Sequence, residues 1–275
     1  MQLSITVDVE EWFHSNWFDA EKIIIENYNG KTPKTDVLKK TEQLITLFDD
    51  YGVSGTFFVL GETAENYPEI IEMLKSSPNE IACHGFYHNK KYKNAIEFKK
   101  DIQKYKDEII SDLKGFRFPN FDYSMEKLET LLKEGFKYDS SIVPCLKIPG
   151  WYGNQDAPIQ PFNMPLNNGK KILEFPLSVL PFLRLPGGGG WFLRNFGLLW
   201  TKTVLKYSLK KTGYGVVYIH PWEISDKNPE FDDISFHVFR NSGSKTLNNL
   251  RKLIEYFSDS ELISLSNQAY WGNAK

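Results

Sequence analysis

Short apolar runs alternate along the chain with longer stretches whose apolar residues recur at helical spacing. The first run, residues 3–9, predicts a buried strand, and residues 36–50 predict an amphipathic helix. Further strands are predicted at 55–60, 80–83, 115–118, 136–139, 172–175 and 215–219, and further helices at 64–75, 95–113 and 125–134. Strands separated by helices favour an α/β fold with a parallel sheet, either open or closed into a barrel.

Residues 145–198 interrupt this alternation. They are rich in Pro, Gly and aromatic residues and include the run Gly187-Gly188-Gly189-Gly190. Four glycines between bulky side chains indicate a hinge, a close approach of the backbone to a ligand, or a plain surface loop. The sequence contains no internal repeat and no interdomain linker. We therefore predict a single domain over residues 1–275, with a Gly- and aromatic-rich insertion at about 145–198.

Composition and charge exclude several function classes. The 275 residues include 33 Lys or Arg and 35 Asp or Glu, and the net charge of −2 gives no reason to expect a nucleic-acid partner. No apolar run reaches the roughly 18 residues of a membrane span, and no export signal is recognised. Two cysteines are too few for a disulfide framework. We predict a soluble, cytoplasmic protein with a small or neutral partner, and the sequence leaves its oligomeric state open.

Side chains suited to chemistry stand where the predicted strands end. They are Asp8, Glu10, His84, Arg117, Asp139 and His220. Because the carboxyl ends of parallel strands meet at one edge of a sheet, these side chains are expected to share a site. His88 follows His84 by four residues, and on a helical turn the two imidazoles would face one divalent metal. Taken alone, the spacing is equally consistent with two histidines that simply form hydrogen bonds at the protein surface.

Two carboxylates close the first predicted strand. The strand period of two places Asp8 and Glu10 on one face and Glu11 on the other. Neighbouring carboxylates repel each other unless a cation divides their roles. A metal held by one would neutralise that charge and leave the other free to act as a base. The alternative is an acidic strand end that is simply exposed to water.

Together, several short segments resemble the motifs of the polysaccharide deacetylase family, the NodB-homology carbohydrate esterases of family 4 type, in the branch with an Asp-x-Glu first motif. The segments are Thr6-Val7-Asp8-Val9-Glu10-Glu11-Trp12-Phe13, Gly55-Thr56-Phe57-Phe58-Val59, His84 with His88, Arg117-Phe118-Pro119, Gly135-Phe136-Lys137-Tyr138-Asp139-Ser140-Ser141 and Ile219-His220-Pro221-Trp222-Glu223. The resemblance implies a distorted (β/α) barrel with fewer than eight repeats. It also implies a metal-dependent amide hydrolase that removes N-acetyl groups from an amino sugar of a polysaccharide or its precursor.

The resemblance further implies a role for each matching residue. Glu10, His84 and His88 correspond to the ligands of a divalent metal, usually zinc, with a fourth position open for water. Asp8 corresponds to the general base that deprotonates this water, and His220 to the general acid that protonates the leaving amine. Because most relatives have adjacent aspartates in this motif, the Asp-x-Glu spacing leaves open which of the two carboxylates binds the metal.

Other matching positions support these groups. Arg117 would pair with the base, Asp139 would orient His220, and the main-chain N–H of Asn120 would form part of an oxyanion hole. A wall for the substrate, or ordinary core packing, is expected of the aromatic residues Trp12, Phe13, Trp151, Trp191 and Trp222. His14 and His237 receive no role in this interpretation.

Two other functions remain open from the sequence. The same site would suit a deformylase or a cyclic-amide hydrolase acting on a small molecule. An inactive carbohydrate-binding protein is the third hypothesis, although the intact set of candidate catalytic residues argues against it.

Overall fold

The computed structural model of the chain describes residues 1–88, 92 and 94–268. The strands are β1 (Gln2–Val9), β2 (Thr56–Val59), β3 (Glu80–Cys83), β4 (Gly115–Phe116), β5 (Tyr138–Asp139), β6 (Phe162–Pro165), β7 (Lys171–Glu174), β8 (Val179–Leu180), β9 (Leu185–Pro186), β10 (Tyr214–Ile219) and β11 (Glu261–Leu262). The helices are α1 (Ala20–Tyr28), α2 (Val37–Asp50), α3 (Gly61–Asn66), α4 (Glu69–Lys75), α5 (Ala95–Glu108), α6 (Met125–Lys133), α7 (Gly190–Asn195), α8 (Leu198–Thr212) and α9 (Ser244–Tyr256).

Most strands belong to one sheet, in the order β10-β1-β2-β3-β4-β5-β7-β6, with β11 paired to the amino end of β1. Neighbouring strands from β10 to β7 are parallel, and β6 runs antiparallel to β7. On the other side of β10, Val216 O accepts a hydrogen bond from Ser178 N at 3.2 Å, and Tyr218 N donates to Gly188 O at 3.0 Å. The sheet therefore curls into a half-barrel, and the predicted distorted α/β barrel is confirmed.

The two faces of the sheet explain the apolar runs of the sequence. In β1, Leu3, Ile5 and Val7 pack outward against helices, including Leu44 and Phe48 of α2. Alternate residues of β1 point into the barrel, whose interior is filled by side chains of neighbouring strands such as those of Phe58, Ala82, Tyr138 and Val216. Because both faces are covered, most strand residues are buried and apolar. The inward face of β1 is an exception, with the buried polar residues Ser4, Thr6 and Asp8.

Several predicted elements differ from the structure. Residues 64–75, predicted as one helix, belong to α3 and α4, which are separated at Pro68. The prediction missed α1, α8 and α9. In α8 the buried face includes Thr201 and Ser208, and these small polar residues interrupt the apolar period. In α9 the buried residues Leu250, Leu253 and Ile254 do have helical spacing, so the signal was present in the sequence.

The glycine run 187–190 packs closely against neighbouring residues of the protein. A Cβ at Gly188 would lie 2.8 Å from the carbonyl oxygens of Ser178 and Val216, and a Cβ at Gly189 would lie 2.6 Å from the Tyr218 ring. Small size is therefore what these positions require. Within the insertion, β6 and β7 join the main sheet, so residues 145–198 are not a plain surface loop. Among the described helices, none has the length and apolar composition of a membrane span.

Candidate active site

Glu10, His84 and His88 meet at the carboxyl ends of β1 and β3. The Oε2 atom of Glu10 lies 2.6 Å from Nε2 of His88 and 3.5 Å from Nε2 of His84. All three side chains are buried, and one potential ligand atom from each lies within 4.8 Å of the others. One carboxylate oxygen with two imidazole nitrogens is the donor set of open catalytic metal sites. These residues could therefore hold a divalent metal ion.

The two histidines come together without the helical turn that their spacing suggested. His84 leaves β3 in extended form, and its N–H donates to Val59 O at 3.0 Å. The chain then reverses at Gly85, whose φ of +81° lies in the left-handed region that favours glycine. Asp101 of α5 fixes the turn, because its Oδ2 accepts from Phe86 N at 2.8 Å. The expected helical geometry is wrong, but the turn brings both rings to Glu10.

Contacts behind the two rings hold their orientation. Nδ1 of His84 lies 2.8 Å from the carbonyl oxygen of Arg117, so Nδ1 carries the proton and Nε2 offers its lone pair to the site. His88 stacks on His14, with ring centroids 5.5 Å apart and an interplanar angle of 16°. Burial, reinforced by His88, lowers the pKa of His14 to about 3, so this ring is neutral. His14, left without a role by the sequence, therefore packs against a candidate ligand.

Asp8 forms a buried ion pair beside the candidate ligands. Its Oδ1 accepts from Nη1 of Arg117 at 2.7 Å. The guanidinium is fully buried and also donates to Thr6 Oγ1 and to the carbonyl and hydroxyl oxygens of Ser140, each at 2.8 Å. Four hydrogen bonds to three residues therefore fix the orientation of the guanidinium. The expected pairing of Arg117 with Asp8 is thus present in the structure.

His220 is oriented by a different carboxylate from the one expected. Its Nδ1 lies 3.0 Å from Oε2 of Glu223, which also accepts from the His220 main-chain N–H at 3.0 Å. The prediction that Asp139 orients His220 is wrong. Glu223 is reached by the 3-10 turn Pro221–Ile224, and its Oε1 accepts from Nε of Arg194 at 2.7 Å. A signal was available, because a carboxylate three residues after His220 is the spacing of a capping box.

Charges around His220 set its protonation. Burial alone would lower the pKa of His220, but the carboxylates of Glu10 and Glu223 outweigh burial and raise this pKa to about 9. The nearer oxygen of Glu10 lies 3.5 Å from Nε2 of His220. Burial would raise the pKa of Glu223, and Arg194 with His220 holds it below its ordinary value. His220 therefore carries a proton at neutral pH, as a general acid must.

Replacing Glu223 by Gln is expected to lower kcat by a factor on the order of 10² with little change in KM. The neutral amide loses the ion pair with Arg194, and its NH2 group cannot accept a hydrogen bond from the Nδ1–H of His220. Steady-state kinetics of amide hydrolysis measures the change. The control is Glu80→Gln, a half-buried, hydrogen-bonded carboxylate in β3, at the opposite end of the strand from His84. An unchanged kcat for Glu223→Gln would show that Glu223 does not position His220 for catalysis.

Asp139 instead forms a carboxyl pair with Glu174. The two residues are directly paired between β5 and β7. Oε1 of Glu174 accepts from the main-chain N–H groups of Ser141 and Ile142, and Oδ1 of Asp139 accepts from Ser141 Oγ. The remaining oxygens, Asp139 Oδ2 and Glu174 Oε2, are buried without another donor. Burial and the Asp139 charge raise the pKa of Glu174 well above its usual value, so one proton is shared between the two carboxyls.

This pair predicts a pH-dependent stability. Burial raises the pKa of Asp139 to about 6, and the pKa of Glu174 is also raised. A carboxyl with a raised folded-state pKa stabilises the fold at low pH, and this contribution is lost as pH rises through the folded pKa. Glu174→Gln supplies a donor without a titrating proton. We expect the variant to be more stable than the wild type at about pH 9 and to lose this advantage at about pH 5.

Urea unfolding across this pH range measures the effect. The matched control is Glu72→Gln, which alters an exposed carboxylate paired with Lys75 and should follow the wild-type curve. If the free energy of unfolding changed with pH in the same way for Glu174→Gln and wild type, Asp139 and Glu174 would share no proton.

Asn120 occupies a strained position at the rim of the site. Asn120 and Phe121 both have positive φ, 54° and 58°, which is rare for residues with a Cβ. In the part of the chain that the structure describes, no acceptor takes the Asn120 N–H. A free main-chain donor beside the candidate catalytic groups is what the oxyanion role requires.

A small cavity of about 50 Å³, here called the central cavity, joins these groups. It is lined by Asp8, Glu10, Ser15, Asn16, Trp17, His84, His88, Phe118, Asn120, Phe121, Trp151, Trp191, Arg194, Tyr218, His220, Trp222 and Glu223. Trp191 and Trp222 therefore lie where the substrate wall was expected, and Trp222 stacks on His220 at 5.1 Å. Trp12 does not. It packs in an apolar cluster with Phe13 and with Trp222, and of these three residues only Trp222 lines the cavity.

Two family models match consecutive parts of the chain. Residues 32–138 match the model described as polysaccharide deacetylase, and residues 140–267 match a domain of unknown function, DUF3473. The chain is 30% identical over 106 residues to the peptidoglycan deacetylase of Helicobacter pylori and 30% identical over 155 residues to the peptidoglycan-N-acetylglucosamine deacetylase of Bacillus cereus. Residues 32–138 belong to the polysaccharide deacetylase family. The matched residues include two of the candidate ligands, His84 and His88, and Glu10 precedes them.

The family match covers only part of these relatives. It spans 37% of this chain and 36% of the H. pylori protein, and 55% of this chain and 53% of the B. cereus protein. Among solved structures, a Mycobacterium smegmatis protein classed with the polysaccharide deacetylases has a TM-score of 0.64 at 18% identity, covering 96% of this chain and 87% of that one. The Puue allantoinase has a TM-score of 0.60 at 14% identity, covering 99% and 89%. These two likenesses concern the fold alone.

Proposed function

We propose that this polysaccharide deacetylase family member is a metal-dependent hydrolase that removes N-acetyl groups from an amino sugar of a polysaccharide or its precursor. The observation that carries the proposal is the convergence of Asp8, Glu10, His84, His88 and His220 on one cavity. The cavity is small, with a volume of about 50 Å³, which suits a small acyl group better than a whole sugar ring.

The donor set of the site fits a zinc ion. Oε2 of Glu10 and the Nε2 atoms of His84 and His88 converge, and the opposite nitrogen of His84 is already satisfied by a main-chain carbonyl. Two neutral imidazoles and one carboxylate, three protein ligands in all, are typical of catalytic zinc. Bound there, the ion would act as a Lewis acid on the amide carbonyl and on the attacking water.

The protein's own groups divide the proton transfers. Asp8 takes a proton from the attacking water while the water oxygen bonds to the acyl carbon. Arg117 keeps Asp8 in place during this step through the 2.7 Å ion pair. The Asn120 N–H donates to the carbonyl oxygen as negative charge develops on it. His220 then protonates the amine nitrogen as the C–N bond breaks, and acetate and a free amino sugar are released.

We propose that residues 1–275 act as one catalytic domain. The candidate catalytic residues range from β1 to the turn after β10, and the insertion contributes Trp151 and Trp191 to the central cavity.

Removing the metal is expected to abolish hydrolysis. The purified protein should release acetate from N-acetylglucosamine oligomers, lose this activity after dialysis against a chelator, and regain it with Zn²⁺. His84→Ala is expected to lose bound metal in elemental analysis and to lose more activity than the roughly 10–100-fold typical of an outer-shell partner. His237→Ala is the control for metal content, because His237 contacts Trp191 rather than Glu10.

The same assay separates the alternatives. Turnover that persists in chelator, without bound metal, would contradict the proposed chemistry. Turnover restricted to formamido or cyclic-amide compounds would favour the small-molecule hydrolase. Sugar binding without turnover in the metal-loaded protein would leave a carbohydrate-binding protein.

A further inference from the structure

Two tryptophan rings lie nearly parallel beside the candidate catalytic groups of the central cavity. Trp17 and Trp191 stack with ring centroids 6.0 Å apart and an interplanar angle of 14°, and both residues line the central cavity. Trp17 follows the 3-10 turn after β1, whereas Trp191 lies in the first turn of α7, so the pair joins segments far apart in the sequence. Both residues are half-buried, which leaves part of their apolar surface free to pack against a sugar.

His237, which the sequence left without a role, contacts both rings of this pair. Its Nδ1 accepts a hydrogen bond from Nε1 of Trp191 at 3.2 Å, and its ring meets Trp17 edge to face, with centroids 5.3 Å apart at 78°. An indole has a single N–H donor, so this bond selects one orientation of the Trp191 ring. His237 is not among the residues that line the central cavity, so any effect it has there passes through the two tryptophans.

Hydrogen bonds to α7 hold His237 in place beside Trp191. The Nδ2 group of Asn195, at the end of α7, donates to the carbonyl oxygens of both Trp191 and His237, at 3.0 and 3.1 Å. Three residues after His237, Arg240 O accepts from Nη1 of Arg194 at 3.0 Å. The turn that carries His237 is thus fixed to the helix that carries Trp191. The imidazole therefore has a defined position from which to orient the Trp191 ring.

Resting on the proposed function, we infer that His237 is a positioning residue for the sugar ring of the substrate. By accepting from Nε1, it holds the Trp191 ring parallel to Trp17, and the amino sugar packs against this pair while its N-acetyl group meets the candidate catalytic groups. Within the described residues, the hydrogen bonds and ring contacts of His237 are to Trp17, Trp191, Asn195 and Phe236. None of these residues is proposed to transfer a proton. His237 therefore acts on the binding of the sugar rather than on the chemical step.

Two variants of matched shape test the hydrogen bond. Asparagine and leucine have side chains of the same branching, but only the amide oxygen of asparagine can accept from Nε1 of Trp191. In acetate release by the metal-loaded protein, we expect His237→Leu to raise KM for N-acetylglucosamine oligomers about 5–10-fold, with kcat changed by less than about twofold. His237→Asn should restore most of this loss. Equal KM values for the two variants, whether raised or unchanged, would overturn the inference.

The donor of the bond gives a second test in a different segment, which also serves if His237→Leu does not fold. Trp191→Phe keeps an aromatic ring at the cavity and removes the N–H, so we expect the same rise in KM. Because both changes remove one interaction, the double variant should be no worse than either single variant. Additive increases in KM, or a wild-type KM in Trp191→Phe, would overturn the inference and leave the proposed function standing. Absence of acetate release by the wild-type protein would overturn the proposed function, and the inference with it.

Discussion

Replacing Asp8 by Asn is expected to lower kcat by about 10²–10⁴-fold while changing KM much less. The amide oxygen can still accept from Nη1 of Arg117, at the position where Asp8 now accepts at 2.7 Å. The variant therefore keeps this hydrogen bond but loses the charge of the carboxylate and its ability to take a proton from water. Steady-state kinetics on an N-acetylated sugar oligomer, with metal content measured in parallel, gives the result.

The control for this variant lies two residues earlier on the same face of β1. Thr6 also accepts from Nη1 of Arg117, at 2.8 Å, and does not line the central cavity. Thr6→Ser should therefore retain wild-type kinetics. Equal kcat for Asp8→Asn and wild type, at equal metal content, would show that another group serves as the base.

Replacing Arg117 by Met is expected to lower the free energy of unfolding by about 3–5 kcal/mol. The change leaves the charge of Asp8 buried without its partner, and it leaves the Ser140 carbonyl oxygen and the Thr6 hydroxyl without their donor. Urea denaturation measures the loss. A similar substitution at the surface, Lys75→Met, breaks an exposed ion pair with Glu72 and should change stability by no more than about 0.5 kcal/mol.

A double variant separates charge from shape in this result. In Asp8→Asn with Arg117→Met the buried charge is absent, so part of the lost stability should return. A double variant as unstable as the sum of the two single variants would mean that the guanidinium acts mainly through packing, for example against the Phe58 ring at 4.2 Å.

The strand pattern predicted which residues approach the site, because parallel strands end at one edge. It could not predict which neighbour each side chain would meet there. Asp139 does stand at the end of β5, yet its partner is Glu174, directly across on β7. That pairing depends on the insertion, whose strands the sequence only partly indicated. Glu223 took the expected place of Asp139 through a local turn, a contact set by three-residue spacing rather than by sheet order.

Aromatic residues were the least predictable part of the site. Trp12 and Trp17 lie in the same short segment, and only Trp17 lines the central cavity. The difference depends on the 3-10 turn Trp12–His14, which buries Trp12 beside Phe13. Nothing in composition or periodicity distinguishes the two rings. Trp151 and Trp191 reach the same cavity from the insertion, where the alternation of strands and helices gave no guide.

The contact between Gly190 and Glu223 constrains how sequences of this type can diverge. A Cβ at Gly190 would lie 1.9 Å from Oε2 of Glu223, and that carboxylate is held in place by Arg194 and His220. Neither position can therefore change freely while the other stays as it is. In an alignment of related chains, we expect glycine at the position of Gly190 wherever glutamate follows the counterpart of His220 by three residues. Larger residues should appear there only together with a shorter side chain at the position of Glu223.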